Sequence, residues 1–249
     1  MPALQFALTY PCKATLEPLF LPKALIWNLA GKLRQAAGFH DLKIQAEDLK
    51  AAFTQLKVNG LPFEVVWELD DRMRFASEPI FGTCMTLDVG QAQVLINVAG
   101  NTSSSHKAST AAHELGHAIF DMPAVLGGGA LPTTFHRTSS IAHPTQQCAA
   151  EWRANEFMGA FLLPKPMLQQ ALRDFGHLCG VPISLSKGGM IDTDQVMPEA
   201  ISLLCEELAY AFGVSQTMID IRLRAYGLCD RDPKTIKGQA WASKRIKGA

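Results

Sequence analysis

The pattern of apolar and polar positions predicts two helices near the start of the chain. Apolar residues recur there every three or four positions, which places them on one face of a helix. The predicted helices are Pro22 to Phe39, with a stripe of Leu25, Leu29, Leu33 and Ala36, and Gln45 to Leu56, with Leu49, Ala52, Phe53 and Leu56. We expect both stripes to pack against the rest of the protein.

The pattern then becomes typical of strands. Three segments alternate or run apolar, and turn residues lie between the last two; they are Phe63 to Leu69, Phe81 to Asp88 and Gln93 to Val98. We predict a small antiparallel sheet of about three strands from these segments. An edge strand of this sheet either pairs with an extended peptide through backbone hydrogen bonds or simply covers the helix beside it.

A third helix is predicted between residues 103 and 122. It can begin near Ser103, in a run of good N-cap residues, and it must end by Met122 because Pro123 disfavours a helical residue before it. Gly116 lies inside this helix, where glycine is about 1 kcal/mol less favourable than alanine. We therefore expect close packing at Gly116.

This third helix contains the sequence His113-Glu114-Leu115-Gly116-His117. Histidines four residues apart lie one helical turn from each other, so both rings can bind one metal ion. The glutamate between them is placed where it can hold a metal-bound water. The spacing favours a zinc hydrolase, and a catalytic zinc ion usually takes a third protein ligand.

A second helical segment downstream, ending at Pro164, offers candidates for that ligand. Glu151 and Asn155 lie one turn apart, so Glu151 could bind the metal while Asn155 hydrogen-bonds a metal-bound imidazole and orients it. Glu156 is the rival ligand, but it points about 140° away from Glu151 around the helix. We favour Glu151 because Asn155 shares its face.

These two segments resemble the ImmA/IrrE metallopeptidases, a zincin-like family. Its second motif typically reads Glu-x-x-Ala-Asn-x-Phe-x-x-x-Leu-Leu-x-Pro, so the Glu and the Asn fall on Glu151 and Asn155. The chain departs from the pattern at Arg153, where the family often has an acidic residue or glutamine, and it lacks the usual residue between Leu163 and Pro164. The resemblance is specific over about residues 80–165.

The resemblance implies a zinc-dependent endopeptidase. His113, His117 and Glu151 would bind Zn²⁺, and Glu114 would act as the general base of peptide hydrolysis. The family also implies a substrate, a helix-turn-helix transcriptional repressor whose cleavage derepresses phage, mobile-element or stress genes. The expected fold class is α+β, with a mostly helical zincin-like core, the small sheet and a C-terminal helical annex.

The residue that stabilises the oxyanion is left open by the sequence. His136 and His143 lie in the 33-residue stretch between His117 and Glu151, which is rich in Gly, Pro, Ser and Thr. Such a composition predicts a loop over the cleft. Either histidine could donate a hydrogen bond there.

The last part of the chain bears on possible partners. Residues 198–227 resemble a helix-turn-helix, with an apolar helix, a Gly turn, a Ser cap and a second helix. These helices either pack as an annex or dock substrate, or else they read DNA bases. The final segment, Asp230 to Ala249, has six Lys or Arg and two Asp, and such a basic tail is a solvated terminus or a weak, salt-sensitive contact to nucleic acid.

We predict an N-terminal helical segment at 1–60, a metallopeptidase core at 61–166, a helical annex at 167–229 and a basic tail at 230–249. The start of the chain lacks the charge pattern of a signal peptide, and no apolar run approaches 18 residues, so we expect a cytoplasmic protein without a membrane span. An alternative function is a non-proteolytic, zinc-containing regulator that binds DNA or a protein partner through its C-terminal helices.

Overall fold

The computed structural model describes residues 6–69, 80–98, 103–129, 131–138, 146–184, 189–191 and 196–229. The chain divides into two compact units, Met1–Leu162 and Leu163–Ala249. The predicted basic tail, Asp230 to Ala249, lies outside the described residues.

A six-stranded mixed sheet forms the scaffold of the first unit. In spatial order its strands are β1 (Phe6–Leu8), β2 (Gln55–Val58), β3 (Leu61–Leu69), β5 (Gln93–Val98), β4 (Ile80–Asp88) and β6 (Thr134–Thr138). The pairs β1–β2 and β3–β5 are parallel, and the other neighbours are antiparallel. The prediction of a small antiparallel sheet of about three strands is therefore wrong, although the fold is α+β.

The error has three sources. The strands that the sequence did not indicate, β1, β2 and β6, have three to five residues, too few to establish an alternating pattern. Leu56 had also been assigned to a helix, but that helix ends at Ala52 and Leu56 lies in β2. Finally, β5 lies between β3 and β4 in the sheet. β3 and β5 are therefore parallel neighbours, with Val65 opposite Val94.

The helices of the first unit are α1 (Lys23–Ala36), α2 (Ala46–Ala52), α3 (Ser104–Phe120), α4 (Met122–Leu126) and α5 (Gln146–Leu162). The start of α3 agrees with the prediction, since the Ser103 hydroxyl accepts a hydrogen bond from the His106 backbone N–H at 3.3 Å. α3 contacts β4, β5, β6, α2 and α5, and every residue from Ala108 to Phe120 is buried. A helix enclosed on all sides in this way is a central core element.

The second unit contains α6 (Lys165–Leu178), the short pair β7 (Ile183–Ser184) and β8 (Met190–Ile191), α7 (Pro198–Phe212) and α8 (Gln216–Ala225). Gly213 ends α7 in the left-handed conformation, with φ of 65°, which suits glycine because it has no Cβ. The Ser215 hydroxyl then caps α8 by accepting from the Met218 N–H. Within the described ranges, no helix is long and apolar enough to cross a membrane.

A buried arginine holds the end of α5 in place. The Arg34 side chain, 2% exposed, donates to five backbone carbonyls, those of Phe39, Asp41, Leu42, Phe161 and Leu162. The last two belong to the final turn of α5, whose carbonyls have no partner within the helix. Burial lowers the pKa of Arg34 to about 10, against the opposing effect of Asp41, so the group is still charged at neutral pH.

We expect Arg34→Met to lower the free energy of unfolding by about 3 kcal/mol, because it leaves several buried carbonyls without donors. Urea denaturation followed by circular dichroism measures this loss. Lys32→Met, an exposed position on the same helix, should change stability by no more than about 0.5 kcal/mol. A loss below about 1 kcal/mol in Arg34→Met would contradict the assigned role.

Candidate metal centre

Helices α3 and α5 bring His113, His117 and Glu151 together. The Nε2 atoms of the two histidines lie 3.2 Å apart. Nε2 of His113 is 3.2 Å from Oε2 of Glu151, and Nε2 of His117 is 3.3 Å from Oε1 of the same carboxylate. Both histidines are almost completely buried, whereas the Glu151 side chain is 33% exposed, so the cluster opens to solvent on the α5 side.

These distances fit a bound divalent cation. Ligand atoms about 2.0–2.1 Å from a tetrahedral zinc ion are separated from each other by roughly 3.3 Å. The three measured separations are 3.2, 3.2 and 3.3 Å. Two imidazoles and one carboxylate are also a donor set that suits such an ion and leaves a fourth position open.

His117 and Glu151 shift each other's pKa values in opposite directions. Burial lowers the pKa of His117, but hydrogen bonds to Asp121 and Glu151 and the nearby Glu114 outweigh it and raise the pKa to about 10. Burial raises the pKa of Glu151, but hydrogen bonds from His113 and His117 outweigh it and hold that pKa well below its usual range. The carboxylates of Asp121, Glu151 and Glu114 thus favour a positive charge at His117.

A hydrogen-bond acceptor lies behind each imidazole. Oδ1 of Asn155, the residue predicted to orient a histidine, is 3.2 Å from Nδ1 of His113. Oδ2 of Asp121 is 2.8 Å from Nδ1 of His117. The sequence reasoning missed Asp121, although its position four residues after His117 places it on the same helical face and is a usable signal.

The Glu114 carboxylate is completely buried beside β4. A Cβ atom on Gly82 would lie 2.6 Å from Oε1 of Glu114 and 2.4 Å from Cγ2 of Thr110. Glycine at this strand position therefore provides the space that the Glu114 side chain occupies. No local signal in the sequence connects Gly82 with Glu114, because the two meet only through the packing of α3 on β4.

The rival ligand, Glu156, faces a different helix. Its Oε2 accepts a hydrogen bond from Nε1 of Trp27 at 2.8 Å, and its Oε1 is 3.7 Å from Nζ of Lys23. Both partners belong to α1, at the start of that helix. The two glutamates of α5 therefore point in different directions, as the helical geometry required.

The described part of the segment between the two motifs contains α4 and β6, where the sequence predicts a loop. Phe135 of β6 stacks on His117, with ring centroids 4.6 Å apart and an interplanar angle of 17°. The backbone of His136 pairs with Thr83 in β4. The His136 side chain and the whole of His143 lie outside the described residues, so their predicted part in oxyanion stabilisation stays a prediction.

α3 and α5 touch at Gly116, as the expectation of close packing anticipated. A Cβ atom at Gly116 would lie 2.9 Å from the Cα of Ala154, which is closer than side-chain carbons approach a backbone. Gly116 precedes His117, and Ala154 lies between Glu151 and Asn155 in sequence. This close approach of the two helices is therefore at the level of the candidate metal ligands.

Comparison with known proteins identifies one family. The peptidase M78 model, described as the IrrE N-terminal-like domain, matches residues 71–224, which is more than half of the chain. Among curated proteins, no match was found. A solved structure titled "Mycobacterium tuberculosis transcriptional regulator" is similar at 16% identity with a TM-score of 0.40, over 80% of this chain and 46% of that one. The chain thus spans less than half of that protein, and a similarity this weak supports no argument.

We expect Gly116→Ala to weaken both the fold and the metal centre. The added methyl group must push α3 away from α5, which overpacks the core by about 1–3 kcal/mol and separates the histidines from Glu151. Titration with zinc against a chelator and urea denaturation measure the two effects.

The matched control is Gly31→Ala in α1, where an added Cβ meets nothing within 4 Å. This substitution should stabilise the protein slightly, by up to about 1 kcal/mol, and should leave zinc affinity unchanged. If Gly116→Ala and Gly31→Ala had the same zinc affinity and stability, Gly116 would not set the distance between α3 and α5.

Proposed function

The chain belongs to the ImmA/IrrE peptidase family, and on this premise we propose that it is a zinc-dependent endopeptidase. The observation that carries the proposal is the cluster of His113, His117 and Glu151, whose ligand atoms lie 3.2–3.3 Å apart. Glu114 lies in α3, the helix that also carries the two histidines. Zinc is the preferred ion because three protein ligands, which are imidazole nitrogens and a carboxylate, are typical of catalytic zinc sites.

When bound, the zinc ion would lower the pKa of its water to about 7 and polarise the scissile carbonyl. Glu114 would accept a proton from the attacking water at its carboxylate as the oxygen of that water bonds to the carbonyl carbon. The same carboxylate would then deliver the proton to the leaving amine nitrogen as the C–N bond breaks. Burial of Glu114 beside Gly82 keeps its carboxylate in a single place for both transfers.

The edge of the sheet offers a place for the substrate backbone. β6 pairs with β4 on one side and is the last strand of the sheet among the described residues. Its Phe135 contacts His117, so this edge runs close to the metal ligands. We propose that an extended segment of the substrate pairs with the outer edge of β6, because backbone pairing needs no particular side chains.

Family membership favours a helix-turn-helix transcriptional repressor as the substrate. Cleavage of such a repressor would derepress the phage, mobile-element or stress genes under its control. Because repressors act on intracellular DNA, the proposed place of action is the cytoplasm.

The alternative is a regulator that binds DNA through its C-terminal helices without proteolysis. Reading DNA would require basic side chains on the exposed face of the second helix. In α8, Arg222 is only 3% exposed and Asp220 only 7%, whereas Arg224 is exposed. This burial favours a packing role for α8, and we prefer the peptidase.

The first test is metal content. We expect about one zinc ion per chain in the wild-type protein and much less in Glu151→Gln, measured by mass spectrometry on tag-free protein after dialysis against a weak chelator. Glu156→Gln is the matched control, since Glu156 bonds to Trp27 instead, and it should retain zinc. Loss of zinc from both variants alike, or none bound by wild type, would contradict the assigned site.

The second test separates binding from chemistry. We expect Glu114→Gln to retain zinc and to lose at least about 100-fold in the rate of repressor cleavage, because general acid–base catalysis contributes typically 10²–10⁴-fold. Purified candidate repressors, analysed by mass spectrometry for defined fragments, supply the readout. Cleavage by Glu114→Gln at the wild-type rate would rule out this mechanism.

A further inference from the structure

Both oxygens of the Asp121 carboxylate are bonded. Oδ2 accepts from Nδ1 of His117 at 2.8 Å, and Oδ1 accepts from Nη2 of Arg153 at 2.5 Å. The carboxylate is 0% exposed and the Arg153 side chain only 13%. A carboxylate bonded at both ends has one orientation, and it holds the His117 proton on Nδ1, so that Nε2 faces Glu151.

The bridge joins the two helices that carry the metal ligands. Asp121 directly follows α3 and lies four residues after His117, while Arg153 lies in α5 two residues after Glu151. The ion pair and the proposed metal site therefore span the same helix interface. Arg153 is also one of the two positions at which this chain departs from the usual family motif.

The two imidazoles are supported unequally. His113 faces the neutral amide of Asn155 at 3.2 Å, whereas His117 faces a carboxylate at 2.8 Å, which is a stronger, charge-assisted hydrogen bond. The Asp121 carboxylate is a third negative charge near the cluster, beside those of Glu114 and Glu151. With the Arg153 guanidinium included, the three carboxylates leave two negative charges, which a bound divalent cation would neutralise.

We infer that Arg153 is a positioning residue of the metal centre, which acts through Asp121 by holding its carboxylate against His117 and balancing its charge. The inference rests on the proposed metal site, and it extends that site to a residue without contact to the ion. In a variant with a neutral residue at position 121, Arg153 would have no carboxylate to hold and would lose this positioning role.

The test is a double-mutant cycle on metal affinity. Wild type, Asp121→Asn, Arg153→Met and the double variant are titrated with zinc against a chromophoric chelator. The visible absorption of the cobalt-substituted proteins reports ligand geometry independently of activity. Arg173→Met, at an exposed arginine of α6, is the control and should keep wild-type affinity.

We expect a change of sign in the effect of Arg153. Arg153→Met should lower zinc affinity about ten-fold when Asp121 is present, because the carboxylate loses its anchor. Asp121→Asn should lower affinity about 10- to 100-fold, because a buried guanidinium then lacks its counter-charge beside the cation. Adding Arg153→Met to Asp121→Asn should therefore raise affinity again.

Two patterns would overturn the inference. Equal effects of Arg153→Met with and without Asp121 would mean that Arg153 does not act through Asp121. A rise in affinity in both backgrounds would mean that its charge acts directly on the cation. Wild type that binds no zinc would overturn the proposed function as well, whereas an additive cycle in a zinc-binding protein would overturn this inference alone.

A conservative pair covers the case in which Asp121→Asn does not fold. Arg153→Lys keeps the positive charge and a donor for Asp121, so its affinity and cobalt spectrum should stay near those of wild type. Arg153→Met should show the ten-fold loss and an altered spectrum. Indistinguishable Lys and Met variants would contradict the inference without any change at Asp121.

Discussion

Backbone contact between α3 and α5 at Gly116 and Ala154 sets the distance on which the proposed metal centre depends. The two histidines come from one helix and Glu151 from the other, so their separation is a property of helix packing. The sheet behind α3 and the cap that Arg34 forms on α5 fix the two helices from outside. The contact of Gly116, which has no side chain, with Ala154 thus determines where the side chains of the two histidines and Glu151 meet.

The interior of this unit holds more polar groups than a hydrophobic core normally allows. His113, Glu114, His117 and Asp121 are all at most 1% exposed. Burial of such groups is unfavourable unless each is paired. The ion pairs of the histidines with Glu151, and of Asp121 with Arg153, offset that desolvation. The histidines, Glu151, Asp121 and Arg153 are therefore tolerated as a network, and removal of Asp121 leaves both Nδ1 of His117 and Nη2 of Arg153 without an acceptor in it.

The local part of the site could be predicted because helical periodicity relates residues close in sequence. It placed His113 beside His117, put Asn155 on the face of Glu151, and pointed Glu156 elsewhere, and the structure arranges them so. The same periodicity would also have found Asp121. The sheet could not be predicted in this way, because strands of three to five residues carry too little pattern. The position of β4 on the outer side of β5 depends on the strand order, which local periodicity does not determine. Gly82 and Phe135 reach the site only through that topology.

The complete burial of α3 from Ala108 to Phe120 has a consequence for how such a protein can evolve. Functional residues on an exposed loop can vary without much effect on folding, but the residues proposed here to bind the metal and to catalyse are also core residues. A change in this helix is selected first for packing, so new specificities cannot easily arise within it. Diversification is left to the surfaces around the helix, above all to the strand β6.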